Sequence, residues 1–292
     1  MGGGRDNTTA RQIDVLRRSA SGCKENRHRT ITQRSQSHCK GSQCISRELF
    51  CQTRRGGITM KLKQITFTGI DGKTDLGALW EIQHQYPIAE FGVLVAKNWR
   101  ENGNRYFNPS YLDSLDSGLN LSAHLCGSIA RAAVRGDLQP LRDWARNFPF
   151  AFLFKRCQLN IATSKENPDT FVYNDDIALY FDEVILQQRS AKDCPLFMNS
   201  KISDHITVLL DASGGEGVNT SLEPLDLPHK IGYAGGINAD NVADKLSFLM
   251  ENKQVGDFWI DMESGVRTDD WFDLDKVVKV LDICQHVLND YK

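Results

Sequence analysis

Several things are scarce or missing in this 292-residue chain, and each absence excludes something. No apolar run approaches the ~20 residues of a membrane-spanning helix, which excludes an integral helical membrane protein. The first sixty residues contain no Trp or Tyr and a single Phe, Phe50. Without aromatic interleaving or a recognisable module, the basic character of that stretch does not make it a nucleic-acid binder. Its cysteines, Cys23, Cys39, Cys44 and Cys51, show no paired CxxC spacing, which favours free thiols over a zinc module. No secretory signal is visible, which makes the reducing cytoplasm the default location. What is present suits a folded domain: 40% hydrophobic and 25% charged residues are enough for a sizeable core.

The formal charge of −2 conceals a division. Residues 1–60 hold 12 Lys and Arg against 4 Asp and Glu, a balance of +8, while the rest holds 23 against 33, a balance of −10. Low hydrophobicity with high net charge is the composition of a disordered extension, expected over residues 1–59. Its Arg and Ser content resembles an organelle transit peptide, which would make an organelle the alternative location, although Asp6, Asp14, Glu25 and Glu48 are more acid than such peptides usually carry. Met60 is followed at once by a strand-like run, so the working domain is expected over 60–292.

From Lys61 onward, short β-branched or apolar runs alternate with amphipathic stretches. Strands are predicted at 63–70, 89–96, 119–125, 156–162, 183–188, 205–211, 230–235 and 257–262. Helices are predicted at Leu76–Tyr86, Leu138–Phe148, Thr170–Phe181, Ala239–Asn252 and Leu274–Leu288. Eight such repeats predict a (β/α)8 barrel, and the length agrees with the ~250 residues that fold takes. A doubly wound sheet shares the alternation but would place GxGxxG after its first strand, where Gly69-Ile70-Asp71-Gly72 stands instead. The glycine-rich turns fall after the last three strands, where a phosphate-binding barrel carries them.

Side chains at the C-terminal ends of barrel strands face the active site. Asp211 ends the sixth strand and enters Ser213-Gly214-Gly215-Glu216-Gly217, a position that suits a general acid and equally a turn-capping Asp. The seventh strand ends in Gly235-Gly236, ahead of a helix that Asp240 is placed to cap. The eighth gives Asp261, Ser264 and Gly265. Paired glycines let backbone N–H groups approach an anion, so Gly235, Gly236, Ser264 and Gly265 are the expected phosphate cradle. On the third strand Asn120, Ser122 and His124 share a face, and Gln158 and Asn160 extend the polar row on the fourth. Cys126 is expected to face away from His124. Between Lys97 and Ser110, basic groups (Lys97, Arg100, Arg105) mix with Trp99, Tyr106 and Phe107, a composition suited to an aromatic anion.

The order LLDASGGEG, IGYAGGINADNV and WIDMESGVR resembles the phosphoribosylanthranilate isomerase family of tryptophan biosynthesis. Phe67-Thr68-Gly69-Ile70-Asp71 matches the family's opening strand in place and shape, and Asn104-Arg105-Tyr106 echoes its element after the second strand. The resemblance spans about Lys61 to Lys292 and is strongest over the last three strands. It implies a cofactor-free, metal-free Amadori rearrangement of a small phosphosugar bearing an aromatic carboxylate. By position, Asp211 would be the general acid, Arg105 would meet the carboxylate, and Asp261 would face the substrate.

Thr68 occupies the position of the family's catalytic Cys. An unassisted Thr hydroxyl is no proton acceptor near neutrality, and loss of a general base forfeits ~10²–10⁴ in rate. Asp71 and His124 are the two candidates to replace it. Two other readings stand beside the isomerase: the same barrel converting a different phosphorylated ligand, and a non-catalytic phosphosugar-binding protein. Monomeric and dimeric barrels share these patterns, and so the oligomeric state is open.

Overall fold

Eight parallel strands close on themselves in sequence order in the computed structural model, each paired with its neighbours and the last with the first. The structure describes residues 61–97, 103–106, 118–147, 153–161, 174–190, 205–225, 230–252 and 256–291. The extension expected over residues 1–59 lies outside the described residues, as do Trp99, Arg100 and Phe107 of the loop after the second strand.

The strands are β1 (Leu62–Thr68), β2 (Ala89–Val95), β3 (Leu121–Leu125), β4 (Phe154–Leu159), β5 (Glu183–Gln188), β6 (Ile206–Asp211), β7 (Ile231–Ala234) and β8 (Phe258–Met262). All eight fall within two residues of the predicted runs at their N-terminal ends. The barrel predicted from the alternation is therefore the observed fold. Strand β1 stops two residues short of prediction because Gly69 takes φ of 92°, which turns the chain out of the sheet.

The helices are α1 (Leu76–Gln85), α2 (Gly127–Val134), α3 (Gln139–Asn147), α4 (Val242–Glu251) and α5 (Leu274–Asp290). Capping explains two of the starts: the Asp75 carboxylate accepts from Gly77 N and Ala78 N, and that of Asp273 from Asp275 N and Lys276 N. In α5, Val277, Val280, Leu281 and Cys284 form the buried stripe that the periodicity predicted. Three details differ from prediction. The part of 170–181 that is described forms only a 3-10 turn, Asp175–Leu179. Helix α2 lies outside the predicted helical stretches. The cap of α4 is Asn241 rather than Asp240, whose backbone N–H is engaged by Asn238.

Strand alternation divides the side chains into two sets. The outward set, including Ile65, Phe67, Phe91, Ala123, Val184, Val208, Tyr233 and Ile260, packs beneath the helices as the main core. The inward set is largely polar. Across the floor, Arg156 Nη1 donates to Glu90 at 2.7 Å and Nη2 to Glu183 at 3.0 Å. Lys230 reaches Glu183 at 2.8 Å, and Thr66 and Thr207 donate to Glu90 and Glu183. Trp259, with Ile185, Leu209 and Ala234, forms an apolar layer in the interior, the Arg156 guanidinium lying 4.6 Å from the indole centroid. A hairpin follows β8: β9 (Arg267–Thr268) and β10 (Trp271–Phe272), joined through Asp269 and Asp270 at φ 51° and 62°. Two consecutive residues at positive φ are what a two-residue hairpin turn requires, and Asp tolerates that region.

Candidate active site

At the C-terminal mouth the inward side chains border a cavity of about 420 Å³. Its walls bring together Thr68, Arg105, His124, Asp211, Gly235, Gly236, Asp261, Ser264 and Gly265. Nine of the ten residues singled out from sequence thus meet in one place.

Asp71 is the exception. Its carboxylate is buried beneath the loops, accepting from Arg267 Nη2 at 3.1 Å, Phe272 N at 2.7 Å, Lys73 N at 3.0 Å and Thr74 Oγ1 at 3.2 Å. It ties the first loop to the hairpin after β8 and does not border the cavity. The structure corrects the expectation that it stands beside the Thr68 site as a base.

Asp211 is held by four donors: Gln187 Nε2 at 2.8 Å, Ser213 Oγ at 2.6 Å, Ser213 N at 3.1 Å and Gly215 N at 2.7 Å. The glycine run permits this, because Gly214 and Gly215 adopt φ of 65° and 87° and fold the loop back onto the strand tip. Asp211 therefore organises its own turn, as the capping reading expects, and it also borders the cavity.

Asp261 is buried on the cavity wall. Burial pushes its carboxyl up to about 8; the Thr68 hydrogen bond opposes this, and the negative charges of Glu263, Asp211 and Glu90 add to it. Thr68 Oγ1 donates to Asp261 Oδ1 at 2.8 Å. The same hydroxyl lies 3.4 Å from His124 Nε2, and Gly92 of β2 allows that approach: a Cβ there would sit 2.7 Å from Thr68 Oγ1. His124 also pairs with Ser122 Oγ at 3.1 Å. Burial, aided by the Arg156 charge, lowers the imidazole to about 3, so it is neutral in this setting.

Arg105 reaches the cavity with its guanidinium already occupied, Nη1 on Glu263 at 2.8 Å and Nε on Asp270 at 2.6 Å. Sequence reasoning missed Arg131 of α2, a second arginine on the wall. It also misplaced Cys126, which shares the wall with His124 because the extended backbone of β3 continues through the helix cap at Cys126, and residues two apart in extended backbone face the same way. Burial raises the Cys126 thiol to about 11, so it is not a thiolate. Gln158 Oε1 is buried with no partner among the described residues, an acceptor facing the cavity space.

The turns after β7 and β8 interlock. A Cβ on Gly236, at φ 62°, would lie 2.5 Å from Asn219 N, and one on Gly265 would overlap Ile237 O. Only glycine fits either position, and the backbone of both reaches the cavity.

Fold and site together define a (β/α)8 barrel with a polar, carboxylate-bearing cavity at its C-terminal mouth. The sequence matches no family model and no curated protein. Among solved structures, the chain is similar to TrpF from Jonesia denitrificans, with TM-score 0.46 and 15% identity over 77% of this chain and 97% of that one. It is similar also to N-(5'-phosphoribosyl)anthranilate isomerase from Pyrococcus furiosus, with TM-score 0.46 and 18% identity over 76% and 98% of the two chains. A third is phosphoribosyl anthranilate isomerase from Thermococcus kodakaraensis, with TM-score 0.47 and 13% identity over 77% and 99%.

Proposed function

We propose that this chain is a cofactor-free sugar-phosphate isomerase of the phosphoribosylanthranilate isomerase type. One observation supports the reading above all: Asp211, Asp261 and the glycine turns after β7 and β8 converge on one cavity. In this reading the phosphate rests on Gly235, Gly236, Ser264 and Gly265, where backbone N–H groups and the turn geometry favour an anion. Asp211 protonates the ribose ring oxygen as the ring opens. For that step it exchanges one of its four donors for a proton of its own. Gln187 Nε2 is the member of that set that comes from another strand, the other three donors belonging to the loop itself. Arg105 binds the anthranilate carboxylate by leaving Glu263 or Asp270, both of which are solvent-accessible partners.

Growth rescue of a tryptophan-requiring strain lacking this isomerase tests the proposal. Rescue by the full chain, lost with Asp211→Asn, supports it. No rescue by a well-expressed chain, together with no turnover of phosphoribosylanthranilate, sinks it. The prior engagement of Arg105 by two carboxylates favours a second reading, in which the same barrel converts a phosphorylated ligand without a carboxylate. A thermal-shift screen of ribose phosphates with and without the aromatic acid separates the two.

A further inference from the structure

The residue at the family's base position cannot act as a base, yet the space around it holds a carboxylate that nothing else employs. We infer that Asp261 is the proton acceptor of the isomerisation and that Thr68 orients it. This rests on the isomerase reading and assigns the step that reading leaves without a residue.

Two of the three acidic side chains on the wall already have strong partners. Glu263 is paired with Arg105, and Asp211 is bound by four donors. Asp261 accepts from Thr68, so its carboxylate stands 2.8 Å from the hydroxyl that replaces the family Cys. Substituting Thr for Cys thus changes the base from the residue at that position to its hydrogen-bonded neighbour. The polarity of the contact is fixed when Asp261 is ionised, because a carboxylate can only accept and the hydroxyl must donate.

Competing groups on the wall fit less well. The Thr68 hydroxyl spends its proton on Asp261. The His124 ring is neutral but so depressed by burial and Arg156 that it holds a proton poorly. The Cys126 thiol is held protonated by burial. Asp261, facing Thr68 of β1, Glu90 of β2, Asp211 of β6 and Glu263 after β8, is raised to about 8, near the pH at which a general base is most effective.

The step balances without a co-reactant. After ring opening, Asp261 takes the proton from C2 of the iminium intermediate. The C2–H electron pair forms C1=C2, and the C1=N⁺ π pair returns to nitrogen. The proton is then delivered to C1, while the C2 hydroxyl proton replaces the one that Asp211 gave to the ring oxygen. Atoms, protons and electrons are unchanged overall, as an isomerisation requires.

The test is steady-state turnover of phosphoribosylanthranilate by the full chain from pH 6 to 9.5, in wild type, Asp261→Asn, Asp261→Ala, Thr68→Val and His124→Ala. Wild-type kcat should rise with pH through about 8 as Asp261 ionises. Asp261→Asn should lose ~10²–10⁴ in kcat with little change in KM, and lose that rise. Formate should restore part of the turnover to Asp261→Ala, which a merely structural defect would not allow. Thr68→Val should move the midpoint upward, since its hydrogen bond lowers the Asp261 value. The inference is overturned if Asp261→Asn keeps kcat within about tenfold of wild type or retains the pH limb, or if His124→Ala alone removes that limb. A wild type with no turnover overturns both this assignment and the isomerase reading, whereas an active wild type beside an active Asp261→Asn overturns this one alone.

Discussion

The floor and the mouth of this barrel are both polar interiors, and they treat buried charge in opposite ways. On the floor each charge has a partner: Arg156 lies between Glu90 and Glu183, and Lys230 completes the second pair. The attraction of its neighbours lowers the Glu183 carboxyl against the desolvation that would raise it. At the mouth, Asp261 has only a neutral hydroxyl for a donor and other carboxylates for company, and its value moves the other way. Burial is common to both layers. What differs is whether the sequence supplies a countercharge. A paired interior holds the barrel together, whereas an unpaired one stores a proton at the cost of stability.

Substitutions that disturb one layer and spare the other sharpen this contrast. The largest effect belongs to Arg156→Leu, which leaves the buried Glu90 without a countercharge and Glu183 with Lys230 alone, and should cost about 3–5 kcal/mol, read from urea unfolding. A loss below about 1 kcal/mol would mean that the floor is wet or able to neutralise itself.

Next comes Asp261→Asn. A carboxyl raised from 3.8 to about 8 in the folded state keeps its proton where the unfolded chain has lost it. Its stabilising contribution is full below pH 4 and is lost as pH rises towards 8, so the wild type is penalised at pH 8 relative to the variant. The variant should match wild type near pH 4 and exceed it at pH 8 by on the order of a few kcal/mol, read from thermal or urea unfolding at both pH values. Equal stability at both would place Asp261 among ordinary solvated carboxylates.

Gly236→Ala should cost ~1–3 kcal/mol, because the residue is at positive φ and the new methyl meets Asn219 N. Titration with a ribose phosphate should show weakened binding at a temperature where the variant remains folded. Asp71→Asn should cost a similar amount, about 1–3 kcal/mol, from weakened bonds to Arg267 and Phe272. Its kcat should stay within a few-fold of wild type, and a loss of ~10² would return Asp71 to the chemistry.

The barrel was legible because each strand and its following segment repeat a local pattern, and β-branched runs mark strands wherever they lie. The glycine turns were legible for a related reason, since a position that excludes a Cβ leaves its mark in a single residue. The hairpin after β8 was not, because two-residue strands have no period to detect. The placement of Asp71 and the two carboxylates that hold Arg105 escaped the sequence for a common reason. The partners, Arg267, Asp270 and Glu263, lie more than 150 residues away in sequence, and no spacing rule reaches that far. Asp261 was visible as a strand-tip carboxylate, but its raised proton affinity depends on which charges surround it in the closed barrel. The His124–Cys126 error was of another kind, a miscounted alternation, and the observed strand corrects it.

The contact between Thr68 and Asp261 has a further consequence. The two residues are 193 positions apart, and they meet because β1 pairs with β8 at the seam where the sheet closes. Contacts of such separation carry the greatest loop-closure entropy and belong to the late stages of folding. A chain with most of its strands assembled and the seam open would hold Asp211 and its loop, yet lack the Thr68–Asp261 pair. In a refolding experiment, the return of turnover would therefore time the closing of the ring, after helical signals have already recovered.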